Sequence, residues 1–123
     1  MVKIAKLRAR YEPIYKGLNP IWCPAIKSMV VFNSRGWKHL RFDGTGKRRD
    51  PKDLIMRLKL IPSISSVIEN ARSIKIYRRK DVLYYLITQE DERNIRVVLR
   101  KVRNGKTHFY SIFRGNKTKK PSK

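Results

Sequence analysis

The clearest pattern of apolar and polar positions along the chain lies in residues 50–61. Asp50 suits the N-cap of a helix and Pro51 its first position, and apolar residues then recur at helical spacing. Pro62 cannot donate the next backbone hydrogen bond, so the helix should kink or break there. The pattern predicts a helix–proline–helix segment. Its apolar positions are Leu54, Ile55, Leu58, Ile61, Ile64, Val67, Ile68 and Ala71.

Strand-like runs account for most of the remaining apolar residues. β-branched and aromatic side chains that suit a buried pleated surface fill residues 82–88. Asn104 and Gly105 form a strong two-residue hairpin signal between two further runs. Strands are predicted over residues 25–32, 74–78, 82–88, 95–102 and 106–113, and a short helical turn over residues 37–40.

The order of these elements predicts an α+β fold in which N-terminal helices pack on an antiparallel β-sheet. A chain of 123 residues is long enough for one such domain, which we place at residues 25–114. Residues 1–24 contain two prolines and no clean period, so they predict a basic arm that is extended or irregular. Residues 115–123 are polar and basic and predict a disordered tail.

The charge of the chain is far from balanced. Its 31 Lys and Arg face only 9 Asp and Glu, and the net charge of +22 attracts polyanions. An anionic membrane is the weaker candidate because no apolar run approaches the roughly 18 residues that span a bilayer. We therefore expect a nucleic-acid partner, RNA before DNA, and no membrane. A solvated basic face that only aids solubility is the plainer alternative.

The cysteine content and the known short motifs narrow the chemistry. Cys23 is the only cysteine, which excludes an internal disulfide and a cysteine-rich zinc site. Together with the lack of a signal-peptide pattern at the first residues, this leads us to expect a cytoplasmic protein. No metal-ligand spacing, phosphate loop or dinucleotide fingerprint occurs, so neither a metal nor another cofactor is expected.

Two histidines are the candidates for catalysis. His39 lies between Lys38 and Arg41, and His108 lies beside Tyr110 on the last predicted strand. Neighbouring cations disfavour the imidazolium, so His39 is expected to be neutral at pH 7 and able to accept a proton. Metal-free RNA cleavage needs such a base, a general acid and cations around the phosphorus. The plainer interpretation is a surface or partly buried contact.

Three short motifs resemble the barnase–EndoU–colicin–RelE-like (BECR) nucleases, closest to their small phage- and toxin-associated subgroup. They are residues 36–40 (Gly-Trp-Lys-His-Leu), the basic cluster 47–49 with residues 54–62, and the hairpin end 108–113 (His-Phe-Tyr-Ser-Ile-Phe). The similarity covers roughly residues 26–114, in that superfamily's order of elements. It implies a metal-independent endoribonuclease, often a toxin or effector that an immunity protein or antitoxin holds in check.

The resemblance also implies site residues. His39 matches the histidine of a Lys-His motif, and Arg48 or Arg49 matches the basic residue that follows. Ser111 matches a hydroxyl residue on the final strand. His108 is a second choice, because simple strand alternation places it on the face opposite to Ser111. The catalytic candidates are His39, Arg48, Ser111, Lys101 and His108, and the RNA-binding candidates are Lys38, Arg41, Lys47, Arg49, Arg100, Lys106 and Tyr110.

Two other functions remain open at this point. A non-catalytic, ribosome-associated RNA-binding module is the main alternative, because phosphate neutralisation needs only Lys and Arg. A DNA-binding regulator is the third, and the helix predicted over residues 50–61 offers Lys52, Arg57 and Lys59 to read a groove. Strand scission distinguishes the first hypothesis from both.

Overall fold

The computed structural model describes residues 4–72, 74–89 and 93–115, and within them a mixed sheet packs against helices. The α+β class predicted from the sequence is confirmed. The helices are α1 (Ile4–Lys16), α2 (Ser34–Arg41), α3 (Pro51–Leu60) and α4 (Ile64–Glu69). The strands are β1 (Ile21–Cys23), β2 (Ser28–Val31), β3 (Ile74–Arg79), β4 (Val82–Thr88), β5 (Ile95–Val102) and β6 (Thr107–Arg114).

The strands lie in the order β1-β2-β6-β5-β4-β3. Neighbours are antiparallel except β2 and β6, which run parallel. The last strand of the chain therefore lies next to one of the first. A crossover of this kind leaves no local sequence signal, and the predicted antiparallel pairing holds for every neighbouring pair except β2 and β6.

The helix–proline–helix prediction is confirmed. The Asp50 carboxylate accepts a hydrogen bond from the backbone N–H of Lys52 at 3.2 Å and caps α3, with Pro51 in the first turn. The helix ends at Leu60, a 3-10 turn over Ile61–Ser63 contains the second proline, and α4 follows. Apolar residues of both helices pack on the sheet; each large, fully buried side chain contributes about 1.5–3 kcal/mol. These include Leu58, Ile61, Ile64, Ile68, Val97, Leu99, Phe109 and Ile112.

The conformation predicted for residues 1–24 is wrong for most of that segment. Ile4–Lys16 form helix α1, which packs on α3, and Ile21–Cys23 form strand β1. Leu7 and Tyr15 are buried, and the Tyr15 hydroxyl donates to the carbonyl of Asn33 at 2.8 Å. Tertiary burial therefore stabilises a helix that contains a proline and many cations. Residues 1–3 and the tail predicted at 116–123 lie outside the described residues.

Strand β6 contains one extra residue relative to β5. Leu99 pairs with Phe109 whereas Val98 pairs with Ser111, so Tyr110 has no partner opposite it and forms a β-bulge. His108 pairs with Arg100, two positions from Val98. Because side chains two apart on β5 share a face, His108 and Ser111 also share a face. The prediction that His108 and Ser111 lie on opposite faces is therefore wrong, because the bulge shifts the alternation of side chains by one residue.

Helix α2 takes the place beside β6 that β2 leaves free. β2 pairs with β6 only at Thr107 and His108, and α2 packs along the strand after that point. Gly36 makes the close approach feasible, since a Cβ there would lie 2.8 Å from the carbonyl oxygen of Phe109. The buried Trp37 and Leu40 fix one side of α2 in the core, and its other side carries His39 over the opposite face of the sheet.

Candidate functional site

The imidazole of His39 stacks on the ring of Tyr110, with centroids 3.9 Å apart and planes inclined by 24°. The two rings come from different elements, the last turn of α2 and the bulge of β6. Both are only partly buried. Alternation along β6 places Tyr110 on the face that carries His108, and the bulge brings Ser111 to the same face.

Two arginines lie against this stack and are held by one carboxylate. The Arg49 Nε donates to the backbone carbonyl of His39 at 3.1 Å, and its Nη1 lies 3.2 Å from Asp53 Oδ2. The other oxygen of Asp53 accepts from Arg57 Nε at 2.9 Å. Arg57 Nη1 donates to the Ser111 hydroxyl at 2.5 Å and to the carbonyl of Ile112 at 3.3 Å. Asp53 therefore positions both guanidinium groups for a further anion.

Aromatic rings extend the site across the sheet. Tyr110 meets Tyr84 edge-on at 5.7 Å, and Tyr84 stacks on Tyr77 at 5.4 Å with an inclination of 13°. The Arg100 guanidinium lies 5.5 Å from the ring of Tyr110 and 6.0 Å from that of Tyr84. In single-stranded nucleic acid, phosphates pair with cations and bases stack on aromatic rings. This row of rings with a cation over it is suited to both kinds of contact.

Two cavities flank the His39–Tyr110 stack, and both residues line each of them. The first has a volume of about 320 Å³ and is lined also by Arg49, Arg57 and Ser111. The second has a volume of about 270 Å³ and is lined also by cations from α2 and β5, namely Arg35, Lys38 and Arg100. An anionic polymer that passes over the stack would therefore meet cations on both sides.

The electrostatics of His39 follow from this environment. Burial lowers the pKa of His39 from 6.5 to about 4, with Arg49, Arg57 and Arg100 acting in the same direction and Asp43 opposing them. The imidazole is therefore neutral at pH 7 and has a lone pair to accept a proton. Burial raises the pKa of the Tyr110 phenol, so that group keeps its proton and remains a donor.

The structure brings half of the predicted site residues together. His39 and Tyr110 line both cavities, and four others line one of them: Arg49, Ser111, Lys38 and Arg100. Of the two arginines that the resemblance left open, Arg49 is the one beside His39. Arg48 bridges to Phe42 and lines a different cavity, together with Arg41.

Three predicted residues lie away from the stack. Lys101 pairs with Thr107 and Leu83, on the face of the sheet that packs against the helices, because it follows Arg100 by one position. Lys47 and Lys106 are exposed in loops. None of the three lines either of the cavities described here.

His108 lies on the same face as Ser111 but lines neither cavity. Burial and the charge of Arg100 lower its pKa. Its Nε2 is buried and has no hydrogen-bond partner within residues 4–72, 74–89 and 93–115. His108 is therefore a neutral neighbour of Arg100 rather than a member of the stack.

Three contributors to the site were not among the predicted catalytic or RNA-binding residues: Arg57, which was considered only for reading a DNA groove, Tyr84 and Tyr77. The i,i+4 spacing of Asp53 and Arg57 on a predicted helix was a usable signal for an ion pair, but it did not reveal that Arg57 reaches Ser111. The tyrosines come together only through the pairing of β3 with β4.

No protein-family model, curated protein or solved structure matches the chain at a significant level. Among the residues that the structure describes, no helix is both long and apolar enough to cross a membrane. Within the same residues, no group of three or more His, Cys, Asp or Glu side chains is arranged to hold a metal ion.

Proposed function

We propose that the protein is a metal-independent endoribonuclease whose general base is His39. The observation that carries this proposal is a neutral imidazole that stacks on Tyr110 between two cation-lined cavities. A proton acceptor and several guanidinium groups within one small site are the components that transesterification of RNA requires. The resemblance to the BECR nucleases points to the same chemistry.

In the proposed reaction, His39 takes the proton from a 2′-hydroxyl as that oxygen attacks the adjacent phosphorus. The bond from phosphorus to the 5′-oxygen breaks, and Tyr110 donates its phenolic proton to that leaving oxygen. The products are a 2′,3′-cyclic phosphate and a free 5′-hydroxyl. Arg49 and Arg57 stabilise the charge that develops on the phosphoryl oxygens, and Ser111 holds Arg57 in place.

The low pKa of His39 belongs to the free protein. A bound phosphate adds negative charge beside the imidazole and offsets the repulsion from the arginines, which raises the pKa of His39 toward neutrality. The substrate therefore makes the base stronger when it arrives. The ladder of Tyr110, Tyr84 and Tyr77 supplies rings on which unpaired bases stack, so single-stranded RNA is the proposed substrate.

The proposal also specifies where the protein acts and which protein would inhibit it. The protein would act in the cytoplasm of the cell whose RNA it cuts, as a toxin or effector. An antitoxin or immunity protein with an acidic surface would inhibit it by covering the cationic cavities.

Non-catalytic RNA binding is the second candidate, and one observation favours it. A pKa of about 4 for His39 lies well below the value near the working pH at which a general base is most effective. The stack and the arginines bind RNA equally well without any proton transfer.

A comparison of three proteins tests the proposal. His39→Phe keeps a ring on Tyr110 but removes the proton acceptor, and Lys101→Gln removes a charge from the other face of the sheet. With a mixed RNA pool and EDTA, we expect the parent and Lys101→Gln to cleave at similar rates and His39→Phe to be slower by about 10²–10⁴-fold. Equal cleavage by His39→Phe contradicts the assigned base. A parent that binds RNA and leaves it intact supports the non-catalytic module.

A further inference from the structure

A third cationic cavity lies behind Arg49. Its volume is about 430 Å³, and four arginines surround it: Arg8 from α1, Arg41 at the end of α2, and Arg48 and Arg49 ahead of α3. The rest of the lining is apolar and consists of Ile4, Ala5, Phe42, Pro51 and Leu54. We call this the arginine pocket. Most of the surface that faces the cavity is apolar, and we call this part its apolar floor.

Two of these arginines are incompletely hydrogen-bonded. The Nε atoms of Arg8 and Arg41 are buried, and neither has an acceptor in the part of the chain that the structure describes. A buried guanidinium donor without an acceptor costs free energy, which a shift of the side chain toward an anion in the pocket would recover. Glu12 lies in the field of Arg41 but is bound to Lys16 at 2.7 Å.

Arg41 is held in place by aromatic rings. Its guanidinium carbon lies 5.4 Å from the centroid of Trp37 and 5.2 Å from that of Phe42. Burial lowers the pKa of Arg41, and the charge of Arg8 acts in the same direction. Two cations are therefore kept close together against their mutual repulsion, an arrangement that a bound anion would stabilise.

Arg49 connects the arginine pocket with the His39 site. Its side chain lines both this pocket and the larger cavity beside the His39–Tyr110 stack. A strand of nucleic acid whose scissile phosphate lies at His39 would meet Arg49 next and then the arginine pocket.

We propose that the arginine pocket is a second subsite for the RNA strand, in which Arg8 and Arg41 bind a phosphate and the apolar floor contacts the attached base. This inference rests on the proposed function in that it takes RNA as the ligand. It does not depend on cleavage. It assigns a role to α1, the helix that the sequence did not predict.

Binding of uncleavable 2′-O-methyl RNA tests the subsite separately from catalysis. The test variant is Arg8→Gln with Arg41→Gln, and the matched control is Lys59→Gln with Arg78→Gln, which removes two charges from exposed positions elsewhere. Fluorescence anisotropy measures the affinity for a dinucleotide and for a hexanucleotide. Thermal unfolding checks that each variant is folded, and Arg8→Gln alone replaces the double variant if loss of Arg41 unfolds the protein.

We expect the parent and the control to bind the hexanucleotide more tightly than the dinucleotide, and we call the ratio of the two affinities the gain. In the test variant this gain should be smaller by about tenfold. The slope of log affinity against log salt should fall by about 0.7, because the variant neutralises one phosphate fewer. If the test variant keeps the full gain, the subsite is refuted while the role of His39 is untouched. If the gain disappears but no RNA is ever cleaved, the subsite stands and the nuclease proposal fails. A parent that binds neither oligonucleotide refutes both.

Discussion

His108 and Ser111 lie on the same face of the sheet although they are three residues apart on one strand. The bulge at Tyr110 is the reason, since it adds one residue to β6 without a partner on β5. It also places the Ser111 hydroxyl within reach of Arg57, on the face where the Tyr110 ring stacks on His39. A regular strand, continued from Phe109, would direct the Ser111 hydroxyl at the helices and away from Arg57.

Arg57 is the residue whose loss should affect both stability and activity. Arg57→Met leaves the Ser111 hydroxyl and one oxygen of Asp53 without a donor, so we expect a loss of about 1–3 kcal/mol in the free energy of unfolding. Cleavage of RNA should fall by about 10²-fold because one guanidinium at the phosphate is gone. Urea unfolding and RNA cleavage measure the two effects. Arg78→Met, on an exposed position of β3, should change neither, and an unaltered rate in Arg57→Met would contradict the site.

His39 should make the protein less stable in acid. Its pKa is about 4 in the folded protein against 6.5 ordinarily, so between these values the unfolded chain binds a proton that the folded one does not. The free energy of unfolding is therefore unaffected by His39 above pH 6.5. It falls as the pH drops from 6.5 to 4, by on the order of 2 kcal/mol after allowance for the partial exposure of His39. The measurement is the difference in unfolding free energy between the parent and His39→Phe from pH 4 to 8. A difference that is constant with pH would refute the low pKa.

Tyr110 offers a way to separate its ring from its hydroxyl. Tyr110→Phe keeps the stack on His39 and removes the donor, so we expect slower cleavage with RNA affinity within about twofold of the parent. Tyr110→Leu removes the stacking surface as well, which is worth about 1–3 kcal/mol per base, and should also weaken binding. Cleavage rates and affinities for 2′-O-methyl RNA distinguish the two cases. Full activity of Tyr110→Phe would show that another group protonates the leaving oxygen.

The contact between α2 and β6 can be tested by replacing each of two glycines with alanine. Gly36→Ala places a methyl group against the Tyr15 hydroxyl and 2.8 Å from the carbonyl oxygen of Phe109, and we expect a loss of about 1–3 kcal/mol because Tyr15 and α2 must both move. The displacement also moves His39 from Tyr110, so cleavage should fall. Gly44→Ala meets no heavy atom within 4 Å and should change stability by less than about 0.5 kcal/mol. Thermal or urea unfolding of both variants measures the contrast, and equal stabilities would contradict the close approach.

Helix α1 shows how a sequence signal can be overlooked. Ile4, Leu7, Tyr11, Tyr15 and Leu18 recur at spacings of three and four residues, and all five are buried or packed against the core. Pro13 and the many cations around it argued against a helix, so this helical spacing was not recognised. The helix gains its stability from contact with α3 rather than from its own propensity, and a local pattern does not reveal such a contact.

By itself, the sequence determined the elements with strong local signals and the kind of partner to expect. The cap at Asp50, the break at Pro62, the turn at Asn104 and the apolar runs of β4 and β5 are properties of neighbouring residues, and the net charge needs no fold at all. Tertiary structure alone decided which side chains meet. The parallel pairing of β2 with β6, the bulge at Tyr110 and the reach of Arg57 to Ser111, 54 residues further along the chain, depend on packing between distant segments. A difference of one residue in strand register moves a side chain to the other face of a sheet, and no local pattern encodes it.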